Sequence, residues 1–411
     1  MHSIPRFVLT LAALSLGVAS AQSPITWWTR SSQVAQAQAL ADAYQKKSGV
    51  QIKLTPIPDA NFVTKYGTAV AGGQAPDMIS VDIVYMPVYT QTGQLEDITS
   101  FAKALPHFKD LSPSHIRLSS YQDKIYGLPL GYDASFLLYN KDLFKQAGLN
   151  SDKPPANFAD ILAASKKITA LGGGVKGFYF SGNCGGCNAF TMMPLVWASG
   201  SDALNQDGTK ANLDNPVMKK TLQLYRDLWT QGQVPVGAQT DNGTNFLNAF
   251  TSGKVGMMPS GNFAIAALKK DFPKLNFGVA YLPGVTGDWA SFVAGDCIGI
   301  SKGSPNTAGA KAFLKYIMSD EAQIEVVSKG GWLPVRLDLA ANKYTNAEPR
   351  LVAAAKSGIK GKTVYTQKAF ELFNDQNGPF VQLLQDAIFK GDIDGALKRA
   401  QSAFSSILNN K

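Results

Sequence analysis

The chain has 411 residues, of which 45% are hydrophobic and 10% aromatic, and its formal net charge is +9. This composition is typical of a folded chain, and the length exceeds what one hydrophobic core usually supports, so we expect two domains. The basic residues are scattered in runs no longer than two, whereas a nucleic-acid surface would cluster them among aromatics, so we expect no nucleic-acid partner.

The first 21 residues have the pattern of a signal peptide. Arg6 supplies a charged start, residues 7–18 are mostly apolar, and Ala19-Ser20-Ala21 supplies small residues for cleavage. The apolar run is too short to span a bilayer, no later segment is long enough, and no cysteine follows the cleavage site to carry a lipid. We therefore expect an exported, soluble protein, periplasmic or otherwise extracytoplasmic.

Strands and helices alternate in the first part of the mature chain. The pattern predicts strands at 25–29, 50–57 and 78–81, with helices at 32–48 and 61–71 between them. Such alternation is typical of a parallel sheet covered by helices on both faces.

An interrupted apolar pattern follows in residues 125–149. Leu128–Leu130 and Phe136–Tyr139 are apolar runs that flank a small polar segment, residues 131–135. A strand with such a break is typical of a chain that crosses between two domains. Asp133, inside the break, would then face the cleft between them.

The rest of the chain mixes both element types. The pattern predicts a helix at 158–171, a strand at 177–181, a hairpin at 204–213, helices at 216–229 and 246–252, strands at 255–258, 277–281 and 297–300, and a largely helical chain from about 307. We find no internal repeat and no low-complexity segment.

Cys184 and Cys187 form the close cysteine pair of the chain, and Cys297 is the third cysteine. An oxidising compartment favours a structural disulfide between Cys184 and Cys187. A thioredoxin-type redox site would require the pair at the start of a helix after a strand, whereas the surrounding glycines and asparagines predict a loop. A zinc site would require two further ligands, and the mature chain has only His107 and His115, so we expect no metal.

Motifs for cofactors and hydrolysis are weak or missing. Gly172, Gly174 and Gly177 have the spacing of a dinucleotide-binding motif, but a helix precedes them and a strand follows, which is the reverse of the required order. No Gly-x-Ser-x-Gly or His-Glu-x-x-His motif occurs. We expect no cofactor and no catalytic triad.

Several sequence blocks occur together in an order that resembles extracellular solute-binding protein family 1 of ABC importers, the group that contains the maltodextrin-binding protein. The blocks are Tyr44-x-x-Lys47-Ser48-Gly49-Val50, Ala71-Gly72-Gly73-Gln74-Ala75-Pro76-Asp77, Gly93-x-Leu95-x-Asp97, Tyr126-Gly127-Leu128-Pro129, Leu138-Tyr139-Asn140-Lys141-Asp142-Leu143-Phe144, Phe250-Thr251-Ser252-Gly253-Lys254-Val255-Gly256-Met257, Leu282-Pro283-Gly284 and Gly299-Ile300-Ser301-Lys302. Residues beyond Leu337 carry no matching motif.

The resemblance implies an α/β fold of the periplasmic-binding-protein-like type II class, in which two discontinuous α/β domains close on a ligand about hinge crossovers. The matching positions place these hinges near 131–135, 292–296 and 318–321. Domain 1 would then comprise 22–131 plus 297–318, and domain 2 would comprise 134–294 plus 320–411.

Sugar sites use aromatic faces against C–H surfaces, and carboxylates and amides against hydroxyls. Trp28 and Arg30 leave the first strand at its carboxyl end, where ligands bind to open α/β sheets. Trp27 and Trp28 point to opposite faces, and we expect Trp28 in the cleft. Asp82 follows the third strand, and Asp133 matches an acidic hinge residue that binds sugar in the maltodextrin-binding relative.

In the maltodextrin-binding relative, an aromatic residue that stacks on the sugar precedes a proline that matches Pro194. The resemblance therefore implies that Phe190, with Asn188 beside it, has this role in domain 2. Asn262 and Phe263 lie where the relative has a stacking tryptophan. Each aromatic could instead be a packing residue.

Two further candidates lie near the later crossovers. Asp296 lies at the second hinge, and Trp332 follows the third in a glycine-flanked loop. We expect both to contact ligand.

These observations predict a non-catalytic protein, expected to be a monomer, that captures a mono- or oligosaccharide and delivers it to a membrane permease. One alternative is an exported glycoside hydrolase, in which two of Asp82, Asp133 and Asp296 would form a catalytic pair. Another is a carrier of the same fold for a polyamine or iron.

Overall fold

The computed structural model describes residues 23–58, 61–244 and 246–410. The signal peptide expected at 1–21 lies outside the described residues. Within them, no helix has the length and apolar content needed to cross a membrane.

Fourteen strands form the sheets of the described chain. Their bounds are β1 (Ile25–Arg30), β2 (Ile52–Ile57), β3 (Met78–Asp82), β4 (Ser120–Tyr121), β5 (Lys124–Ile125), β6 (Gly127–Pro129), β7 (Asp133–Asn140), β8 (Lys176–Phe178), β9 (Val255–Gly261), β10 (Phe277–Ala280), β11 (Leu282–Pro283), β12 (Trp289–Ala294), β13 (Asp296–Ile300) and β14 (Gly361–Lys362).

Fifteen α-helices accompany them. Their bounds are α1 (Val34–Ser48), α2 (Phe62–Ala71), α3 (Met86–Gln91), α4 (Thr99–Lys103), α5 (Pro113–Leu118), α6 (Lys141–Gln146), α7 (Phe158–Thr169), α8 (Gly185–Trp197), α9 (Pro216–Thr230), α10 (Asn248–Thr251), α11 (Phe263–Asp271), α12 (Thr307–Ile317), α13 (Pro349–Ser357), α14 (Pro379–Leu384) and α15 (Ile393–Asn409). Segments of π-helix lie at Ala322–Ser328, Phe370–Asn374 and Gln385–Lys390, and several short 3₁₀ turns join the remaining elements.

Asparagine side chains start three of these helices. Asn140 accepts the backbone N–H groups of Asp142 and Leu143 at 3.0 and 3.1 Å, which begins α6 directly after β7. Asn157 and Asn215 cap α7 and α9 in the same way. Each cap satisfies N–H groups that a helix leaves unpaired at its start.

The first sheet has the strand order β2-β1-β3-β13-β6. The strands β1, β2 and β3 are parallel, and β13 runs antiparallel to both β3 and β6. Because β1 and β3 are parallel, their carboxyl ends lie at the same edge of the sheet. The Trp27 ring packs edge-on against Phe313 of α12 at 5.6 Å and is fully buried.

The second sheet has the strand order β11-β12-β7-β9-β8, with β10 also paired to β7 and β14 to β12. Its central strands β7 and β9 are antiparallel, and β9 is buried along its whole length. Helices α8 and α13 pack against this sheet. The start of β7 and the end of β9 are thus neighbours, since Ser135 is paired with Gly261.

The chain crosses between the two sheets at two adjacent places. It leaves the first sheet after Pro129 and enters the second at Asp133, and it returns between Ala294 and Asp296. The two crossings are hydrogen-bonded to each other, with Leu130 N–H donating to Asp296 O at 2.7 Å. The two connections therefore run through residues 130–132 and through Gly295.

Beyond residues 318–321, where the third crossing is expected, the chain still contacts the first domain. Residues 322–328 pack against α1, and Glu321 pairs with Lys47 at the end of that helix. Ser112 N–H donates to Val335 O at 3.3 Å, so residues up to this point still contact the first domain. Further along the chain, α13 packs against strands of the second sheet, β7 and β10. The long separation of these contacts in sequence explains why no local pattern marks them.

Two local predictions also need correction. The Cys184–Cys187 pair was expected in a loop, but Cys184 is the N-cap of α8, because the buried apolar face of Ala189, Met192, Met193 and Val196 outweighs the low helix propensity of its glycines. The hairpin expected at 204–213 is reduced to an isolated bridge between Leu204 and Ala211.

Candidate functional site

Arg30 links the ends of two strands of the first sheet to the second crossing. As the last residue of β1, it lies 3.3 Å through Nη1 from Oδ2 of Asp82, the last residue of β3. Its Nε donates to Oδ2 of Asp296 at 3.2 Å, and its Nη2 donates to the other carboxylate oxygen. The guanidinium therefore holds two carboxylates that would otherwise repel each other.

The two carboxylates differ in accessibility. Asp296 is fully buried, while the Asp82 side chain is 26% exposed. Asp82 also accepts the N–H of Val84 at 3.1 Å, which fixes its rotamer at the strand end. A solute can therefore reach Asp82, whereas the buried Asp296 fixes the position of the Arg30 guanidinium.

Asp133 and Asn262 join the first crossing to the end of β9. The backbone N–H of Asn262 donates to Oδ1 of Asp133 at 2.8 Å, and Asn262 Oδ1 accepts the N–H of Ala134 at 2.6 Å. Asn262 Nδ2 donates to the Tyr132 carbonyl at 3.3 Å. Asn262 is buried, so its amide serves mainly to fix the crossing.

Burial raises the pKa of Asp133 to about 7, and the negative charge of Asp82 adds to the rise. Backbone N–H groups of Asn262, Ala134 and Phe263 act in the opposite direction. Asp133 is therefore divided between its protonated and ionised forms near neutral pH, and either form can bond to a hydroxyl group.

Phenylalanine rings from three segments form an aromatic face next to these acids. Phe263, the first residue of α11, is 47% exposed, and its ring centroid lies 6.5 Å from Phe190 on α8 and 6.3 Å from Phe246. Phe190 packs in turn on the buried Phe292 of β12 at 5.6 Å. A Cβ on Gly261 would meet both the Phe263 ring and the Asp133 carboxylate, which shows how close the ring lies to the acid.

His115, on α5 of the first domain, forms a hydrogen bond with the first crossing. Its Nε2 donates to the Gly131 carbonyl at 2.9 Å and its Nδ1 accepts from the Ser112 hydroxyl at 2.8 Å. The ring is fully buried and stacks near Tyr132, and burial lowers the pKa of His115 to about 4. His115 is therefore a neutral hydrogen-bonding group that holds the crossing.

The structure brings seven of the ten sequence-predicted ligand residues into one neighbourhood: Arg30, Asp82, Asp133, Phe190, Asn262, Phe263 and Asp296. The other three have structural contacts. Trp28 lies below Lys65 of α2, 5.4 Å from Nζ to the ring, and Asn188 is buried with Nδ2 donating to the carbonyls of Ser181 and Cys184. Trp332 is half-buried and precedes Leu333, which forms a bridge with Tyr132 of the first crossing.

Phe246 and His115 were not among the sequence candidates. Phe246 was assigned to a predicted helix without a role, and its neighbour Phe263 follows it by 17 positions, so only the return of β9 brings the rings together. His115 lies on a short helix whose pattern carries no signal for a contact with Gly131.

Two other features carry no assignment. A groove of about 730 Å³ lies between α5 and two segments of the second domain, and it contains Arg117 stacked on Tyr365 at 4.7 Å, but none of the ten candidates lines it. Among the described residues, His107, Asp110 and Asp338 have ligand atoms close enough together for a metal ion. Arg336 already pairs with Asp338 there, and its charge opposes a cation.

Comparison with known sequences identifies the family. The family model for bacterial extracellular solute-binding proteins matches residues 39–354. A putative binding protein of Brucella abortus is 27% identical over 367 residues, which cover 88% of this chain and 86% of that protein. The diacetylchitobiose binding protein of Streptomyces coelicolor is 25% identical over 411 residues, covering 96% and 89%. The multiple sugar-binding protein of Streptococcus mutans is 25% identical, covering 69% and 67%.

Solved structures share the fold. The cyclic α-maltosyl-1,6-maltose binding protein of Arthrobacter globiformis has a TM-score of 0.82 at 23% identity, covering 95% of this chain and all of that one. The sugar-binding protein of Xanthomonas citri has a TM-score of 0.83 at 20% identity, covering 94% and 97%. The predicted fold, two sheet-containing α/β domains of the periplasmic-binding-protein type, is confirmed. Since the family model covers more than half of the chain, this protein belongs to the bacterial extracellular solute-binding proteins.

Proposed function

We propose that the protein binds a neutral oligosaccharide between its two domains and delivers it to the permease of an ABC importer. The observation that carries the proposal is the combination of Asp82, Asp133 and Arg30 with an adjacent, partly exposed aromatic face formed by Phe190, Phe246 and Phe263. Carboxylates and a guanidinium bond to sugar hydroxyls, while phenylalanine rings pack on the apolar C–H face of the sugar ring.

The charge of the cluster favours a neutral ligand. The guanidinium of Arg30 contacts two carboxylates, those of Asp82 and Asp296, and a third, that of Asp133, lies close enough to Asp82 for their charges to interact. An anionic solute would add a further negative charge beside them, whereas the hydroxyls of a neutral sugar find acceptors and donors at no such cost. Relatives named for diacetylchitobiose and for multiple sugars support this class.

Ligand binding is coupled to closure, because the contributing groups come from both sides. Arg30 and Asp82 belong to the first sheet, Asp133 begins the second, and Phe190 and Phe263 lie on helices of the second domain. A solute that contacts all of them binds the closed state more tightly than the open one, and this difference in affinity shifts the population toward closure. The permease would then recognise the closed form.

The other expected properties belong to the same proposal. We also propose that the protein is exported to an extracytoplasmic space, acts as a monomer and is not catalytic. Of the three acids that a glycoside hydrolase could use, Asp296 is buried and bound to Arg30, so a substrate cannot reach it. Of the wider set, Asn188, Trp28 and Trp332 have less support as ligand contacts than the residues around Arg30.

Calorimetry and thermal shift with glucose, trehalose, maltose and larger glucans, together with chromatography of each sugar after incubation, test the proposal. We expect at least one sugar to bind and to be recovered unchanged. Phe263→Ala should lower its affinity tenfold or more, equivalent to about 1.4 kcal/mol. Phe272→Ala, which removes a phenylalanine 40% exposed at the other end of α11, is the matched control and should leave affinity unchanged.

Three outcomes would overturn it. Cleavage of a sugar would indicate the glycoside hydrolase instead. Binding of a polyamine or an iron complex, with no response to any sugar, would keep the family but change the ligand class. Equal affinity losses in Phe263→Ala and Phe272→Ala would remove the aromatic face from the site.

A further inference from the structure

The Cys184–Cys187 disulfide lies in the second domain at the start of α8, the helix that carries Phe190. Both cysteines are partly exposed, and Cys184 is the N-cap residue, whose sulfur accepts the N–H of Cys187 at 3.2 Å. Phe190 follows Cys187 by three positions, so the two side chains lie on the same side of the helix. The disulfide is therefore close in the fold to the aromatic face.

A turn of the chain, residues 241–244, rests directly on the two sulfurs. Gly243 has a φ of +97°, and a Cβ built there would lie 2.8 Å from Sγ of Cys187 and 3.0 Å from Sγ of Cys184. Such distances leave no space for a side chain, so glycine is required both by the backbone conformation and by the contact. The 241–244 turn therefore packs directly against the disulfide.

The other side of the turn is held by the buried carboxylate of Asp241. It accepts the Tyr179 and Ser181 hydroxyls, each at 2.6 Å, and the Gly243 N–H at 3.2 Å. The Asp241 carbonyl also accepts the N–H of Asn183, the residue before the disulfide, at 2.9 Å. The turn is thus fixed between a hydrogen-bond network and the disulfide.

The 241–244 turn also contacts Phe246, one of the rings of the aromatic face. The N–H of Phe246 donates to the Gly243 carbonyl at 3.1 Å, and the Phe246 ring lies 6.3 Å from Phe263. Phe263 also contacts Phe190, so the disulfide is connected to the face through Gly243 and Phe246 on one side and through α8 on the other.

We propose that the Cys184–Cys187 disulfide is a positioning element of the ligand site: it fixes the 241–244 turn and thereby Phe246, and its reduction loosens the aromatic face and weakens sugar binding. The consequence for affinity rests on the proposed function, whereas the consequence for the turn does not. A disulfide that closes so short a loop restrains little of the unfolded chain, so its effect is local rather than global.

The reduction is a thiol–disulfide exchange with a dithiol reductant. One thiolate of the reductant attacks a sulfur of the pair and the S–S bond breaks. The second thiolate then displaces the protein sulfur from the mixed disulfide. The products are two protein thiols and one cyclic disulfide of the reductant, with two electrons transferred to the protein.

Hydrogen exchange of the oxidised and the dithiothreitol-treated protein tests the effect on the turn. We expect the amides between 241 and 250 to exchange at least tenfold faster after reduction, while amides of β7 and β9 keep their protection. Calorimetry with the sugar panel should give a three- to tenfold weaker affinity for whichever sugar binds the oxidised protein, and reoxidation should restore it. Thiol titration after denaturation should rise by two per chain.

Two variants separate this role from a purely structural one. Cys184→Ser/Cys187→Ser should match the reduced protein and give no response to dithiothreitol, whereas Cys297→Ala, which lacks the buried free thiol, should respond as the wild type does. Unchanged exchange and affinity after complete reduction would overturn the inference. If no sugar binds even the oxidised protein, the proposed function fails, and the exchange experiment alone decides whether the disulfide positions the turn.

Discussion

Arg30 and Asp296 form a buried ion pair between residues 266 positions apart, with side chains only 13% and 1% exposed. The pair joins the last residue of β1 to the first residue of β13, where the second crossing enters the first sheet. It thus connects the carboxyl end of β1 to the second crossing.

Arg30→Ala should strongly destabilise the protein, because it leaves the Asp296 carboxylate buried without its partner. We expect a loss of roughly 3–5 kcal/mol in the free energy of unfolding, measured by urea denaturation. Lys47→Ala, which removes the exposed pair with Glu321, is the control and should cost less than about 1 kcal/mol. Similar losses in both variants would show that burial does not govern the Arg30 pair.

The raised pKa of Asp133 predicts a pH dependence of stability. The folded protein holds this proton more tightly than the unfolded chain, so the stabilisation is complete below about pH 3.8 and is lost as the pH rises through about 7. Asp133→Asn cannot titrate, and its unfolding free energy should fall less between pH 4 and pH 7 than that of the wild type. Parallel curves would show that Asp133 titrates normally. The same variant should weaken sugar affinity at pH 8.

His115 predicts the opposite slope. Its pKa is lowered from 6.5 to about 4, so its contribution to stability is present above pH 6.5 and is lost as the pH falls through 4. His115→Gln keeps an N–H for the Gly131 carbonyl but does not titrate, and should therefore lose less stability between pH 6.5 and pH 4. Denaturation of both variants over the same pH series distinguishes the two groups, since their differences from wild type have opposite signs.

Gly295, between Ala294 and Asp296 at the second crossing, should not tolerate a side chain. Its φ is +122°, and a Cβ there would lie 2.1 Å from the Gly131 carbonyl oxygen. Gly295→Ala should cost roughly 3 kcal/mol or more through backbone strain and overlap. Gly49→Ala also has a positive φ, +75°, but open space around it, and should cost about 1–2 kcal/mol in thermal or urea unfolding. Equal losses of stability in Gly295→Ala and Gly49→Ala would mean that the backbone at the two crossings shifts to make room for the added methyl group.

We propose that the third crossing lies between Arg336 and Pro349, because residues 322–336 contact the first domain and α13 contacts the second. Spin labels on Lys329→Cys and Lys53→Cys should keep their distance when sugar is added. Labels on Lys329→Cys and Lys220→Cys should change theirs. The reverse result would return the crossing to 318–321. All three lysines are exposed, and Cys297 is too buried to be labelled.

Local pattern predicted much of the framework. The alternation of apolar runs and helical periods located β1, β2, β3, α1 and α2 to within a few residues, and the polar break in residues 131–135 marked the first crossing. It failed at Cys184, because the tertiary burial of α8 overrides the weak helix propensity of Gly185 and Gly186. Residues 322–328 contact α1, which lies far from them in the sequence, so no local pattern predicts that contact.

The sequence by itself determined the fold class and the strands and helices of the first part of the chain, because the family resemblance depends on short motifs and these elements depend on local periodicity. Only the tertiary structure decided which side chains meet. The pairing of Arg30 with Asp296, the contact of Gly243 with the disulfide and the meeting of Phe246 with Phe263 all join segments distant along the chain. Such contacts form because two sheets fold back on each other and bury a common core, and no window of sequence contains that information.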